Sequence, residues 1–286
     1  TATGRTVARQ AAERLIGTSL ELGGKNPMIV RADANLKRAV AGAVWGSFAS
    51  AGQLCMSTER IFVHRSIYEP FMRDFLQEVR SLRLGNTLDW GPDMGSLTSE
   101  RQLRKVSELV DDAIDKGARL LTGGRRREDL GPFFYEPTVL EGITPEMRLY
   151  HEEAFGPVVW LEPFISDEEA VEKANQTSYG LAASIYGEDA ESARNLATWI
   201  QAGTVTVNDT YVIGWAAVDG NMGGVKDSGL GRRHGEEGIR RFTYTQTVSE
   251  NRGPLVAPPR GEGGARRFAK VLTSLLRTWR RIPFLP

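Results

Sequence analysis

One thiol and one awkwardly placed carboxylate are the residues of this sequence best suited to covalent chemistry. Cys55 is the only cysteine; it closes Gly52-Gln53-Leu54-Cys55, 34 residues after Glu21 of Glu21-Leu22-Gly23-Gly24-Lys25. Glycine in each motif lets backbone approach a ligand closely. A thiolate attacks carbonyl carbon, and a carboxylate of raised pKa activates water, so the two together supply a nucleophile and a general base. Each has an ordinary alternative. A lone cysteine often packs as a small hydrophobe, and Glu21 could pair with Lys25 at a turn. Against the first, Gln53 and Ser57 do not suit a core strand. Against the second, Leu20 and Leu22 would desolvate Glu21 and raise its pKa. If Cys55 stands at a helix N-terminus, the helix dipole favours thiolate, and N–H groups there could cradle an oxyanion.

A further cluster is Glu152-Glu153-Ala154-Phe155-Gly156-Pro157. Read alone it is a structural turn. Read beside the first two it offers a carboxylate for ribose hydroxyls and an aromatic for a flat ring. The three histidines, His64, His151 and His234, have no metal-ligand spacing to one another or to Cys55. A Cys–His hydrolase stays open, but it leaves the other two motifs unused. Gly223, Gly224, Gly229 and Gly231 do not form Gly-x-Gly-x-x-Gly, because His234 stands where the third glycine belongs.

Elements must position these residues. Helical spacing predicts helices over 5–16, from an Asp33 cap to about Ala49, over 68–82, over 99–116 capped by Thr98, after Asp167, and over 189–201. Short apolar runs predict strands at 27–30, 61–63, 138–140, 158–161, 183–186 and 204–207. Strands alternating with helices give an α/β layered fold with a largely parallel sheet. Residues 219–235 read as glycine-rich loop, and the alternation over 243–248 suits an exposed or edge strand. With 286 residues, 41% hydrophobic, 25% charged and zero formal net charge, the chain has a globular composition and no global field for nucleic acid. One cysteine excludes an internal disulfide framework and suits a reducing, cytoplasmic setting.

These motifs, in this order, resemble the aldehyde dehydrogenase superfamily over roughly residues 1–250. The residues that carry the resemblance are Glu21 to Pro27, Gly52 to Cys55, Glu153 to Pro157, Gly203-Thr204-Val205 with Asn208, and Ser228-Gly229-Leu230-Gly231-Arg232. The stretches Glu21 to Val30, 93–97, 134–140 and 231–235 are similar to bacterial succinate-semialdehyde dehydrogenases. The resemblance implies a catalytic domain with a parallel-type sheet flanked by helices, plus a remnant of a Rossmann-like cofactor domain. It implies Cys55 as nucleophile and Glu21 as base. It also implies NAD or NADP held by Thr1, Gly4, Leu22, Glu153 and Phe155, an aldehyde substrate, no metal, and a homodimer or homotetramer. Its domains would be 1–22 (end of the cofactor domain), 23–230 (catalytic), 231–250 (return segment and oligomerisation strand) and 251–286 (linker and basic helix). Two departures stand out. Arg233 occupies a position where relatives often have a glutamate that could relay protons, and Ala49 stands where some have an arginine for a substrate carboxylate, with Arg60 a nearby basic candidate.

The chain opens Thr1-Ala2-Thr3-Gly4-Arg5, without methionine, and is expected to be the C-terminal part of a longer protein. An alternative function is therefore a non-catalytic domain acting through subunit association. At the other end, residues 266–281 are basic, with Phe268, Val271, Leu272, Leu275 and Trp279 on one helical face. Docking on protein is the expectation favoured for this segment, and contact with a membrane surface is the other.

Overall fold

The structure, a computed structural model, describes residues 1–87, 89–253 and 257–280. In chain order the elements are α1 (Ala2–Ala12), β1 (Leu20–Glu21), β2 (Asn26–Val30), α2 (Leu36–Phe48), β3 (Thr58–His64), α3 (Tyr68–Ser81), α4 (Glu100–Asp115), β4 (Arg119–Thr122) and β5 (Thr138–Glu141). There follow α5 (Arg148–His151), β6 (Val158–Phe164), α6 (Asp167–Asn175), β7 (Tyr179–Gly180), β8 (Ala182–Tyr186), α7 (Ala190–Ala197), β9 (Thr204–Val207), α8 (Tyr211–Ala216), β10 (Val225–Lys226), β11 (Gly229–Leu230), α9 (Gly235–Arg240) and α10 (Glu262–Trp279).

Seven strands form one sheet in the order β4-β5-β6-β3-β2-β8-β9. Every neighbouring pair is parallel except β4 with β5. The central strands β2 and β3 are covered on both sides, which is why they read as unbroken apolar runs. Met28, Val30, Ile61 and Val63 join the core shared with Phe71, Phe75, Val106 and Val110. Their alternates Ile29 and Phe62 join Ala170, Ala174, Ala193 and Leu196. Period-two alternation thus assigns one core to α2, α3 and α4, and the other to α6 and α7.

Several helix starts differ from expectation, each because the expected cap is engaged elsewhere. Asp33 accepts from Asp189 N–H, and Asn35 caps α2 by accepting from Arg38 N–H. Thr98 gives its N–H to the Gln53 side chain, and Ser99 caps α4. Asp167 binds Arg31, and Ser166 caps α6. The first helix spans Ala2–Ala12 rather than 5–16. Helix α7 ends at Ala197 rather than 201, where the Asn175 side chain ties Trp199 O and Gln201 N–H. Residues 219–235 are not all loop, since they contribute β10 and β11. Residues 243–248 are exposed and form no strand, because nothing in this chain pairs with them among the described residues.

The chain divides into two compact units, Thr1–Thr243 and Tyr244–Pro286. Helix α10 belongs to the second and buries none of its residues. No helix among the described residues is long and apolar enough to cross a membrane.

Candidate active site

Three motif loops enter three adjacent strands. Residues 21–25 lead into β2, residues 52–57 into β3, and residues 152–157 into β6, so all three lie at the amino-terminal edge of the β6-β3-β2 run. Neighbouring strands stand about 4.8 Å apart, so their entry loops meet. Ligands of open parallel sheets more often bind at the carboxyl edge; here the chemistry-bearing residues collect at the opposite one.

The Cys55 loop follows a tight reversal. Helix α2 gives way to a 3₁₀ turn, Ala49–Gly52, in which Ser50, Ala51 and Gly52 all have left-handed φ of 55°, 54° and 68°. A side chain at Gly52 would run into Gly156 O, so this glycine fixes the closeness of two motif loops. Gln53 holds the reversal with its side chain, accepting from Thr98 N–H and donating to Ser50 O and Ser96 O. Asn26 ties the loop to the sheet, donating to Cys55 O (2.9 Å) and Ser57 O (2.7 Å) and accepting from Ala182 N–H. Cys55 is exposed, not packed as a small hydrophobe. It precedes a strand rather than a helix, so no helix dipole acts on it. The backbone N–H groups of Cys55 and Met56 favour its thiolate instead. They are outweighed by desolvation and by the carboxylates of Glu153 and Glu21, which raise the thiol pKa. Glu153 and Glu21 are thus the charged groups that act most strongly on the sulfur.

Glu21 does not pair with Lys25. Its Oε1 is buried and has no hydrogen-bond partner. Burial raises its pKa, opposed by Arg233, Arg232, Arg241 and His234 in that order. It lines a cavity of about 490 Å³ with Ser19, Arg233, His234, Arg241 and Phe242. Arg241 is held by Arg232 O, and Arg232 by Gly224 O and Gly231 O. A larger groove of about 960 Å³, along Val40, Val44, Trp45, Phe48 and Leu82, contains neither Cys55 nor Glu21.

Lys25 is instead the centre of a buried scaffold that sequence reasoning missed. Its ammonium pairs with Glu59 at 2.8 Å, donates to Glu152 O, and sits 4.9 Å over the Trp160 ring. Burial lowers its pKa, with Glu59 opposing. Glu59 also accepts from Ala154 and Phe155 N–H. On the other side Gln102 donates to Ala154 O and Phe155 O, and Lys105 to Glu153 O. These contacts hold Phe155 at a left-handed φ of 51°. Glu153 is thereby turned toward the glycine loop. Its Oε1 accepts from Gly24 N–H at 2.8 Å, and a side chain at Gly23 would collide with its other oxygen. Burial raises its pKa, with the Gly24 N–H opposing.

Leu22 gives its N–H to Ser228 O, and its side chain fills the space that a Cβ on Gly4 would need. Thr1 donates to Asp227 O. Thr1, Gly4 and Leu22 share one small cavity of about 100 Å³. Arg60 is neither a surface residue nor free for a substrate carboxylate. It is buried, donates to Lys25 O, Lys173 O and Ala174 O, and burial brings its pKa down to about 10. His64 binds Ser66 and Ile165 O, and His151 binds Pro145 O. Among the described residues no histidine bonds Cys55, and no group of acids, histidines or cysteine could hold a metal.

A family model described as "Aldehyde dehydrogenase family" matches residues 1–248. The chain belongs to the aldehyde dehydrogenase family. It is 48% identical over 283 residues to a Mycolicibacterium smegmatis protein named "Putative succinate-semialdehyde dehydrogenase, NADP(+)", covering 99% of this chain and 54% of that protein. It is 39% identical to a betaine aldehyde dehydrogenase of Cereibacter sphaeroides, covering 90% of this chain and 52% of the other. A solved Staphylococcus aureus betaine aldehyde dehydrogenase in complex with NAD+ superimposes with a TM-score of 0.84 at 36% identity, covering 89% of this chain and 52% of that one. An aldehyde dehydrogenase of Bacillus cereus, also an NAD+ complex, gives 0.84 at 36%, covering 88% and 50%. The chain spans about half the length of the relatives it matches.

Proposed function

We propose that the protein carrying this chain oxidises an aldehyde to its carboxylic acid. What supports this reading is that three motif loops, carrying an exposed thiol, a carboxylate with one buried and unpaired oxygen, and a second acid, enter adjacent strands at one edge of the sheet. The Cys55 thiolate adds to the aldehyde carbonyl, and the oxyanion that forms is met by the Cys55 backbone N–H. NAD+ or NADP+, when bound, supplies the acceptor for the hydride that the adduct loses. Cys55 then holds the acyl group as a thioester. Glu21, a base of raised pKa, takes a proton from water as its oxygen attacks that thioester, and the acid and free thiol are released.

Glu153 would hold a cofactor ribose by accepting from its hydroxyls; Gly23 and Gly24 let its carboxylate lie against their backbone, which fixes its place. Phe155, the Leu22 backbone, Thr1 and Gly4 would be the other residues to hold the cofactor, the last three lining one small cavity. The names of relatives support succinate semialdehyde as substrate. Any grip on its carboxylate must come from a residue other than Arg60, which is spent on backbone carbonyls. Residues 243–248 are exposed and patterned for strand pairing, which supports a homodimer or homotetramer; sizing of the full-length protein checks this.

Two substitutions test the chemistry in the full-length protein. Cys55→Ala should abolish aldehyde-dependent NAD(P)H formation, falling by more than about 10³-fold as expected when a covalent nucleophile is lost. Glu21→Gln should keep a first burst of NAD(P)H and then stall, because only thioester hydrolysis needs the base. Cofactor reduction by the Cys55→Ala protein at the wild-type rate would sink the assignment.

A further inference from the structure

The second unit carries a helix whose two faces are sorted by chemistry. At 100° per residue, Phe268, Val271, Leu272, Leu275, Leu276 and Trp279 of α10 fall on one side. On the other fall Arg266, Arg267, Lys270 and Arg277, with Thr273, Ser274 and Thr278 between them. Arg280 extends the basic face at the C-cap; Arg281 lies outside the described residues. The only acid of the helix, Glu262, sits in its first turn. The apolar side is not covered within its unit, as Val271, Leu272, Leu275, Leu276 and Trp279 are 40% to 62% exposed.

We infer that α10 is an interfacial helix that lies on an anionic lipid surface. Three observations favour lipid over protein as the occupant. An exposed helix face laced with ion pairs carries charges of both signs; here the apolar residues form one continuous stripe and every charged residue beyond the first turn is basic. A second copy of the helix would bring like charges together along both flanks, whereas an anionic headgroup layer complements them. Phe268 and Trp279 are anchors of the kind that settle at the boundary between acyl chains and headgroups. The helix is too polar to span a bilayer, so it lies in the plane of the surface. The Pro- and Gly-rich sequence 253–261 ahead of it has the composition of a linker. The sheet and its site do not depend on this contact, so it sets where the enzyme works rather than what it does.

Co-sedimentation of the full-length protein with vesicles is the test. With phosphatidylglycerol-containing vesicles most of the protein should pellet. With pure phosphatidylcholine, or at high salt, the bound fraction should fall at least tenfold, because screening removes the charge attraction. L275E/W279E and removal of residues 262–286 should each leave the protein in the supernatant with its aldehyde-oxidising activity unchanged. The proposal is overturned if the wild type ignores anionic vesicles. It is equally overturned if L275E/W279E still pellets, which would make the attraction one of charge alone. Loss of the native oligomer on removing 262–286, with no vesicle binding by the wild type, would assign the apolar face to protein docking instead.

Discussion

At the scale of single residues, the base is set by competition between burial and arginine. Desolvation pushes the Glu21 pKa up, and Arg233 is the first of the charges that pull it back, ahead of Arg232, Arg241 and His234. Water activation needs the carboxylate ionised, so the rate of thioester hydrolysis is lost as pH falls through this pKa. Arg233→Gln removes a charge that favours the ionised form. The acid limb of the kcat profile should therefore move to higher pH, and turnover at mildly acidic pH should drop several-fold while the alkaline plateau is kept. An unmoved limb would show that Arg233 does not face the base. The same scale explains Cys55, whose two acidic neighbours raise its pKa while backbone N–H groups lower it. An exposed thiol of raised pKa rests mostly protonated near neutrality.

At the scale of elements, the site is the product of three parallel strands and the pair that locks their entry loops. Lys25 and Glu59 are both buried and meet at 2.8 Å, and Glu59 also satisfies two N–H groups of the Glu153 loop. Lys25→Met leaves the Glu59 carboxylate buried without its counter-charge, which costs about 3–5 kcal/mol. Urea unfolding of the first unit should show that loss, whereas a change under about 1 kcal/mol would mean that water already reaches the pair. None of this was legible from the chain alone. Lys25 sat in a motif, but its partner stands 34 residues on, and only the β2–β3 register brings them together. The motif residues themselves were legible because a thiol and an acid among glycines are chemically odd wherever they fall. Strands β2, β3 and β6 were legible because burial on both faces leaves unbroken apolar runs. The caps slipped by one or two residues for a simple reason: Asp33, Thr98 and Asp167 cap as well as their neighbours do, and a distant partner decided between them. Over 243–248 the alternation specifies a strand's faces but not its partner, and none pairs with it among the described residues.

At the scale of the whole molecule, the proposed reading gives this chain a nucleophile, a base and one end of a cofactor site. On that reading its groups for NAD+ or NADP+ amount to the Glu153 carboxylate, Phe155, and Leu22, whose N–H is held by Ser228 O and which lines one small cavity with Thr1 and Gly4. Of the basic groups nearby, Arg233 lines the Glu21 cavity and several others are already committed. Arg232 and Arg241 donate to backbone carbonyls, Lys25 is sealed beneath Trp160, and Lys105 is bound to Glu153 O. The glycines at 223, 224, 229 and 231 are filled by their own surroundings: Arg232, Ser228, Leu20 and Arg241 occupy the space around them. One charge-assisted hydrogen bond contributes about 1.5–3 kcal/mol, whereas a micromolar Kd needs about 8 kcal/mol. The 286-residue chain by itself should therefore bind both cofactors weakly or undetectably when titrated in a calorimeter. A submicromolar Kd would contradict this, since it would require a diphosphate site that these residues do not offer. A protein of the matched relatives' length is the control: if it binds NAD+ or NADP+ tightly, the difference measures what residues outside these 286 add to this edge of the sheet.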